Sequence, residues 1–209
     1  MIVAHRGASF DAPENTLAAF RLAWEQGADG IEGDFYLTKD REIVCIHDKT
    51  TERTAPNQRV MKVANSSLDE LRTLDVGSWK NQRFAGEQIP TLKEVLDLVP
   101  KGKRIFIEIK CGSEIIPVLK EQLQSSLLEP EQVTIIAFDQ EVVASARKEL
   151  PQFKANWLTS YRKVLTWKPS KKDVLRTLTM LQATGLGSKG NQEVVDNDFA
   201  KALASQGTE

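Results

Sequence analysis

The sequence predicts an α/β domain built on a mostly parallel sheet. Three observations carry that expectation: short apolar runs alternate with amphipathic stretches almost from end to end, 41% of residues are hydrophobic against 27% charged, and 209 residues suit one large domain. The first strand is expected over residues 2–5, an apolar run ending on His5. Asn15 is placed to cap a helix over 16–26, in which Leu17, Phe20, Leu22 and Trp24 supply apolar contacts and Gly27 ends the run. Strands follow over 30–36 and 43–47. Thr91 opens a helix carrying Leu92, Val95, Leu96 and Val99 before Pro100. After a strand over 104–110 comes a helix over 113–128, which tolerates Pro117 only in its first turn. A strand over 133–138, a helix capped by Asp139 and running to about 150, and a strand over 153–158 continue the rhythm. A helix over 171–183 with Val174, Leu175, Leu178 and Leu181 on one face, a weaker strand over 184–188 and a helix over 196–206 complete it.

Residues 48–88 break the pattern. They hold Thr50, Thr51, Arg53 and Thr54, a short helix near 68–74, then Gly77 and Trp79, but no clear strand. So long a stretch inside one domain reads as an insertion at a strand's C-terminal end, where parallel α/β folds place their sites. No linker or repeat divides the chain, so residues 1–209 are expected to form one domain.

Lys and Arg total 28 against 29 Asp and Glu, a formal charge of −1. That balance argues against a nucleic-acid binder working by bulk phosphate attraction. No apolar run reaches the roughly 20 residues of a membrane span, so no stable membrane insertion is expected. A strand beginning at Ile2 leaves no room for a signal peptide, and Cys45 and Cys111 make no disulfide framework; a reduced, cytoplasmic protein is expected.

Side chains two apart on a strand share a face. Glu32 and Asp34 therefore point the same way, and Ile105, Ile107 and Ile109 cover one face while Glu108 and Lys110 share the other. The only two histidines, His5 and His47, both end strands. If these strands are neighbours, His5, Arg6, Glu32, Asp34, His47, Glu108 and Lys110 meet in one pocket. Three clustered carboxylates repel unless a cation compensates them, and an all-oxygen set favours Mg²⁺ or Ca²⁺. Arg6 and Lys110 suit a phosphate, and two histidines suit acid–base work on it. The chemistry suggested is metal-assisted phosphodiester cleavage. Each piece also has a plainer reading: His47-Asp48 as a turn, Cys45 as buried filler, Cys111 as a bystander thiol beside Lys110, and Trp79 as packing within its loop.

Seven short motifs in order carry a resemblance. Ile2-Val3-Ala4-His5-Arg6-Gly7-Ala8, Pro13-Glu14-Asn15-Thr16, Gly27-Ala28-Asp29-Gly30-Ile31-Glu32-Gly33-Asp34, Thr38-Lys39-Asp40, His47-Asp48, Ile89-Pro90-Thr91-Leu92 and Glu108-Ile109-Lys110 together resemble the glycerophosphodiester phosphodiesterases. The resemblance implies a (β/α)8 TIM barrel, with 48–88 as a small insertion over the site after the third strand. It implies Glu32, Asp34 and Glu108 as ligands of one divalent cation, Mg²⁺ or Ca²⁺, His5 and His47 as the acid–base pair, and Arg6 and Lys110 as phosphate holders. It implies hydrolysis of small glycerophosphodiesters to an alcohol and sn-glycerol 3-phosphate, and assigns Glu14 and Asn15 to the first loop and its helix cap. A lysophospholipase D or phosphatidylinositol phospholipase-like activity, or a non-catalytic phosphodiester-binding protein, stand as alternatives. Two departures stand out. Gly33 replaces a larger apolar residue, so looser packing is expected behind it. The chain also stops where an eighth strand and closing helix are expected, which makes truncation an expectation.

Overall fold

A computed structural model describes residues 1–208. Strand β1 (Val3–His5) leads through a loop to helix α1 (Leu17–Glu25), and β2 (Gly30–Leu37) turns back as β3 (Ile43–Cys45). An irregular segment holding the one-turn helix α2 (Leu68–Leu71) leads to α3 (Leu92–Leu96), β4 (Arg104–Ile109), α4 (Ile116–Ser125), β5 (Val133–Ala137), α5 (Gln140–Glu149) and β6 (Lys154–Thr159). A tiny hairpin, β7 (Arg162–Lys163) with β8 (Trp167–Lys168), precedes α6 (Lys171–Leu181), β9 (Gly185–Ser188) and α7 (Asn197–Ser205). Every expected strand forms; the hairpin was not among the expectations.

The main sheet runs β1-β2-β4-β5-β6-β9 with all neighbours parallel. One expectation is corrected here. The strand before His47 is not a third parallel strand, because β3 lies antiparallel to β2, Leu37 opposite Ile43 and Phe35 opposite Cys45. Only residues 38–42 separate the two, whereas a parallel crossover needs about a dozen or more. Thr38 closes the turn, donating its backbone N–H to the Glu42 carbonyl and accepting the Glu42 N–H on its hydroxyl, both at 2.9 Å. Since β4 occupies one edge of β2, β1 and β3 must share the other. They meet it end to end, β1 along Gly30–Glu32 and β3 along Phe35–Leu37.

The helix-facing side of the sheet is apolar. Ile105 and Ile107 are fully buried with Ile31, Phe35, Val133 and Ile135, each contributing roughly 1.5–3 kcal/mol relative to exposure. Helices begin where the sequence places their caps: Thr91, Asp139 and Asp196 each accept a backbone N–H from their first turn, and Pro117 falls in the first turn of α4. The first helix differs. Thr16, not Asn15, is its cap, accepting the Ala19 N–H at 3.2 Å. Gly33 also departs from expectation, since a Cβ there would meet Cys45 Sγ and Phe20 Cζ at 3.1 Å. The space behind the strand is full, not slack.

Residues 48–88 pack around their own cluster, in which Ala55, Met61, Val63, Leu71, Leu74 and Val76 lie against Tyr36, Val44, Ile46 and Ile89. Although β1 and β9 are the ends of the strand order, His5 and Gly187 line one cavity. The sheet is therefore curled until its edges face across a common space.

Candidate active site

Alternation along β2 sends Ile31, Gly33 and Phe35 toward the helices and Glu32, Asp34 and Tyr36 to the concave side. Glu108 of β4 sits opposite Asp34 in the register. The three carboxylates Glu32, Asp34 and Glu108 are buried and offer oxygens within 4.8 Å of one another. Burial, then the Asp34 charge, pushes the Glu32 carboxyl up to about 8. Among the described residues, Glu32 Oε1 is buried without a hydrogen-bond partner, and Asp34 Oδ1 has only the Lys110 ammonium at 3.4 Å. Orphaned carboxylate oxygens grouped in this way fit a hard divalent cation.

The loop after β1 delivers Arg6. Arg6 (φ 59°) and Gly7 (φ 75°) both take left-handed backbone, and a Cβ on Gly7 would overlap the Ala19 backbone at 2.7 Å, so α1 can approach only a glycine. The turn points the Arg6 N–H at Glu32 Oε2, 2.9 Å away. Its guanidinium donates to Glu14 Oε1 at 3.0 Å and brings Nε to 3.1 Å from Asp34 Oδ2. Lys110 donates to Glu108 Oε1 at 2.7 Å. Asn15, also left-handed at φ 58°, holds Asp34 from beneath.

The two histidines arrive from opposite directions along the shared edge of β2. His5 ends β1 opposite Glu32, its Nε2 3.9 Å from Glu32 Oε2; burial and the Arg6 charge lower its pKa. His47 follows β3, whose antiparallel course brings the Ile46 N–H down to the Asp34 carbonyl at 2.8 Å. His47 Nδ1 lies 2.7 Å from Asp48 Oδ1, so Asp48 is more than a turn residue. Arg53 Nε donates to Asp48 Oδ2 at 2.6 Å, and its two terminal nitrogens each reach a Glu14 oxygen at 2.8 Å.

His5, Arg6, Glu32, His47, Glu108 and Lys110 line one cavity of about 350 Å³, with fully buried Asp34 behind it. The structure thus brings together all seven residues singled out from the sequence. Asn15, Asp48 and Arg53 are not among them; Asn15 lies in the Pro13–Thr16 motif and Asp48 next to His47, whereas Arg53 leaves no local signal. Neither thiol is poised as a nucleophile: burial raises Cys45 strongly and pushes Cys111 up to about 11. Trp79 donates its indole N–H to the Val76 carbonyl at 2.8 Å, in keeping with packing. A second hollow of about 610 Å³ adjoins the first, sharing Glu108, Lys110 and Phe138 and walled by Tyr36, Lys62 and Asn65. No helix among the described residues is long and apolar enough to cross a membrane.

Comparison with known proteins places the chain in one class, the phosphodiester hydrolases. The family profile described as "Glycerophosphoryl diester phosphodiesterase family" matches residues 5–209. A glycerophosphodiester phosphodiesterase of Caldanaerobacter subterraneus subsp. tengcongensis is 40% identical over 171 residues, 80% of this chain and 70% of that one. One of Bacillus subtilis is 33% identical over 168 residues, 72% of this chain and 56% of that one. Among solved structures, an Oleispira antarctica phosphodiesterase in complex with the product sn-glycerol-3-phosphate superposes with a TM-score of 0.84 at 28% identity, covering 100% of this chain and 82% of that one. The chain belongs to the glycerophosphoryl diester phosphodiesterase family and is an enzyme of that kind.

Proposed function

We propose that this chain hydrolyses small glycerophosphodiesters to sn-glycerol 3-phosphate and an alcohol, using one divalent cation, Mg²⁺ or Ca²⁺. The observation that carries the reading is the buried Glu32, Asp34 and Glu108 cluster, with its orphaned oxygens, in the same cavity as both histidines. The product held by the Oleispira antarctica relative supports the choice of substrate. Held by these carboxylates, a cation would polarise the phosphoryl group and offset its charge. It would also weaken the hold of Asp34 and Glu108 on Arg6 and Lys110, leaving both cations available to phosphate oxygens. One histidine takes the proton of the attacking water while the other gives a proton to the leaving alcohol oxygen as the P–O bond breaks.

The curled parallel sheet supports reading residues 1–209 as one domain of the (β/α)8 barrel architecture, with 48–88 inserted beside the site. The adjoining 610 Å³ hollow is where the alcohol portion fits, because it opens directly past Lys110. Two unpaired thiols suit a reducing, cytoplasmic setting. The test is release of sn-glycerol 3-phosphate from a panel of glycerophosphodiesters after EDTA treatment and readdition of each cation. Glu32→Ala and Asp34→Ala are expected to abolish cation-dependent release. Retention of most activity in both would overturn the ligand assignment.

A further inference from the structure

Arg53 lies outside the cavity, on the 48–88 segment, and touches neither the carboxylate cluster nor the space the phosphate would fill. Its bonds are nevertheless directed at the two groups that flank that space. One edge of the guanidinium holds Asp48 at 2.6 Å, and Asp48 holds His47 Nδ1 at 2.7 Å. The other edge is bidentate on Glu14, at 2.8 Å twice, and Glu14 holds the Arg6 guanidinium at 3.0 Å. A planar fork with donors on two sides can join two carboxylates in fixed geometry, which an ammonium cannot do. The arrangement is well sheltered on its inner side, with Arg6 and Glu14 only 19% and 13% exposed.

Resting on the acid–base role proposed for His47, we infer that Arg53 is a positioning residue that couples His47 to Arg6 and sets the tautomer of the His47 ring. Against the burial that opposes it, the bonds from His47 and Arg53 hold the Asp48 carboxyl below its ordinary range, so Asp48 is a carboxylate and can only accept. The proton of a neutral His47 is then at Nδ1, and Nε2 is the free nitrogen that meets water or the leaving oxygen. Without Arg53, Asp48 is free to turn toward solvent, the ring loses its tautomer preference, and Glu14 is left to hold Arg6 with no second anchor of its own.

The chain's shortage of histidine makes this directly measurable, because a ¹⁵N-histidine-labelled sample contains only His5 and His47. With the ring neutral, His47 of the intact protein is expected to carry its proton on Nδ1 and to leave Nε2 bare. In Arg53→Ala and Arg53→Lys its two nitrogen shifts are expected to converge toward tautomer averaging, with His5 unchanged. The same variants are expected to lose on the order of 10- to 100-fold in kcat through misplacement of the ring; once Asp48→Asn is present, Arg53→Ala is expected to lose little more in kcat while still raising KM through Arg6. Arg53→Met, which keeps most of the packing of the stem, repeats the measurement should Arg53→Ala fail to fold. His47 shifts unchanged in the folded variants, or additive kcat losses in the double variant, would overturn the inference. A His47→Ala variant that keeps its activity would instead sink the acid–base reading, and the nitrogen shifts would still report whether Arg53 sets the ring.

Discussion

Asn15 and Asp34 bind each other at both ends of the asparagine amide. Asn15 Nδ2 donates to Asp34 Oδ2 at 2.9 Å, and Asn15 Oδ1 accepts the Asp34 backbone N–H at 3.2 Å. Both residues are essentially excluded from water, so the carboxylate cannot rotate without breaking a buried bond. Asn15→Ala is therefore expected to raise the cation concentration needed for half-maximal activity by roughly 10- to 100-fold, as loss of a ligand's supporting bond does elsewhere. Titration of EDTA-treated enzyme with Mg²⁺ and Ca²⁺ measures it.

The raised pKa of Glu32 makes the cation-free protein sensitive to alkali. With the folded value near 8 and the ordinary value 4.5, the native state holds a proton that the unfolded chain has released throughout that window. Stability therefore falls as pH rises from about 4.5 to 8. In EDTA the Tm is expected to be lower at pH 8 than at pH 5.5, by about 2–4 °C for each kcal/mol lost. Adding the cation at pH 8 is expected to restore it, and Glu32→Gln to remove most of the pH dependence; calorimetry across that range checks both.

Two glycines are expected to resist alanine to different degrees. At Gly33 the new methyl meets side-chain atoms of Cys45 and Phe20 at 3.1 Å, which can give way slightly, for a cost of roughly 1–3 kcal/mol by overpacking. At Gly7 it meets the Ala19 backbone at 2.7 Å with φ at 75°, and neither the helix nor the turn can yield without displacing Arg6. Urea unfolding is expected to rank Gly7→Ala as the more damaging, and only that variant is expected to raise KM.

Tyr36 stands two residues beyond Asp34 on the same face of β2, at the wall of the larger hollow. Its ring is buried, its hydroxyl makes no hydrogen bond among the described residues, and burial pushes its pKa up to about 12, so it remains a neutral donor. Tyr36→Phe is expected to raise KM by roughly 3- to 10-fold, the worth of one hydrogen bond, for substrates whose alcohol carries further hydroxyls. For substrates without them KM is expected to stay as it was, and steady-state kinetics on paired substrates makes the comparison.

What the sequence yielded follows from which physical signals are local. Period-two alternation placed Glu32, Asp34, Glu108 and Lys110 on the concave face because it depends on backbone geometry alone. The direction of β3 is not legible in an isolated apolar run, which carries no polarity; the shortness of residues 38–42 is the available clue. Asn15 reads as a cap because Asn is among the residues most favoured there; its left-handed backbone, where a cap is extended, hands the role to Thr16. Arg53 reaches Glu14 across 39 residues of sequence, and an ion pair at that separation leaves no periodic trace.

The end-to-end meeting of β1 and β3 on one edge of β2 makes a single strand the ruler for both histidines. His47 is carried by a strand gripped on both sides, with Cys45 bonded to Pro90 and Ile46 to Asp34. His5 is set by the pairing of β1 with the same strand, opposite Glu32. The spacing of the two rings is thus written into the register of β2, and a one-residue slip of either partner would carry its histidine out of the cavity.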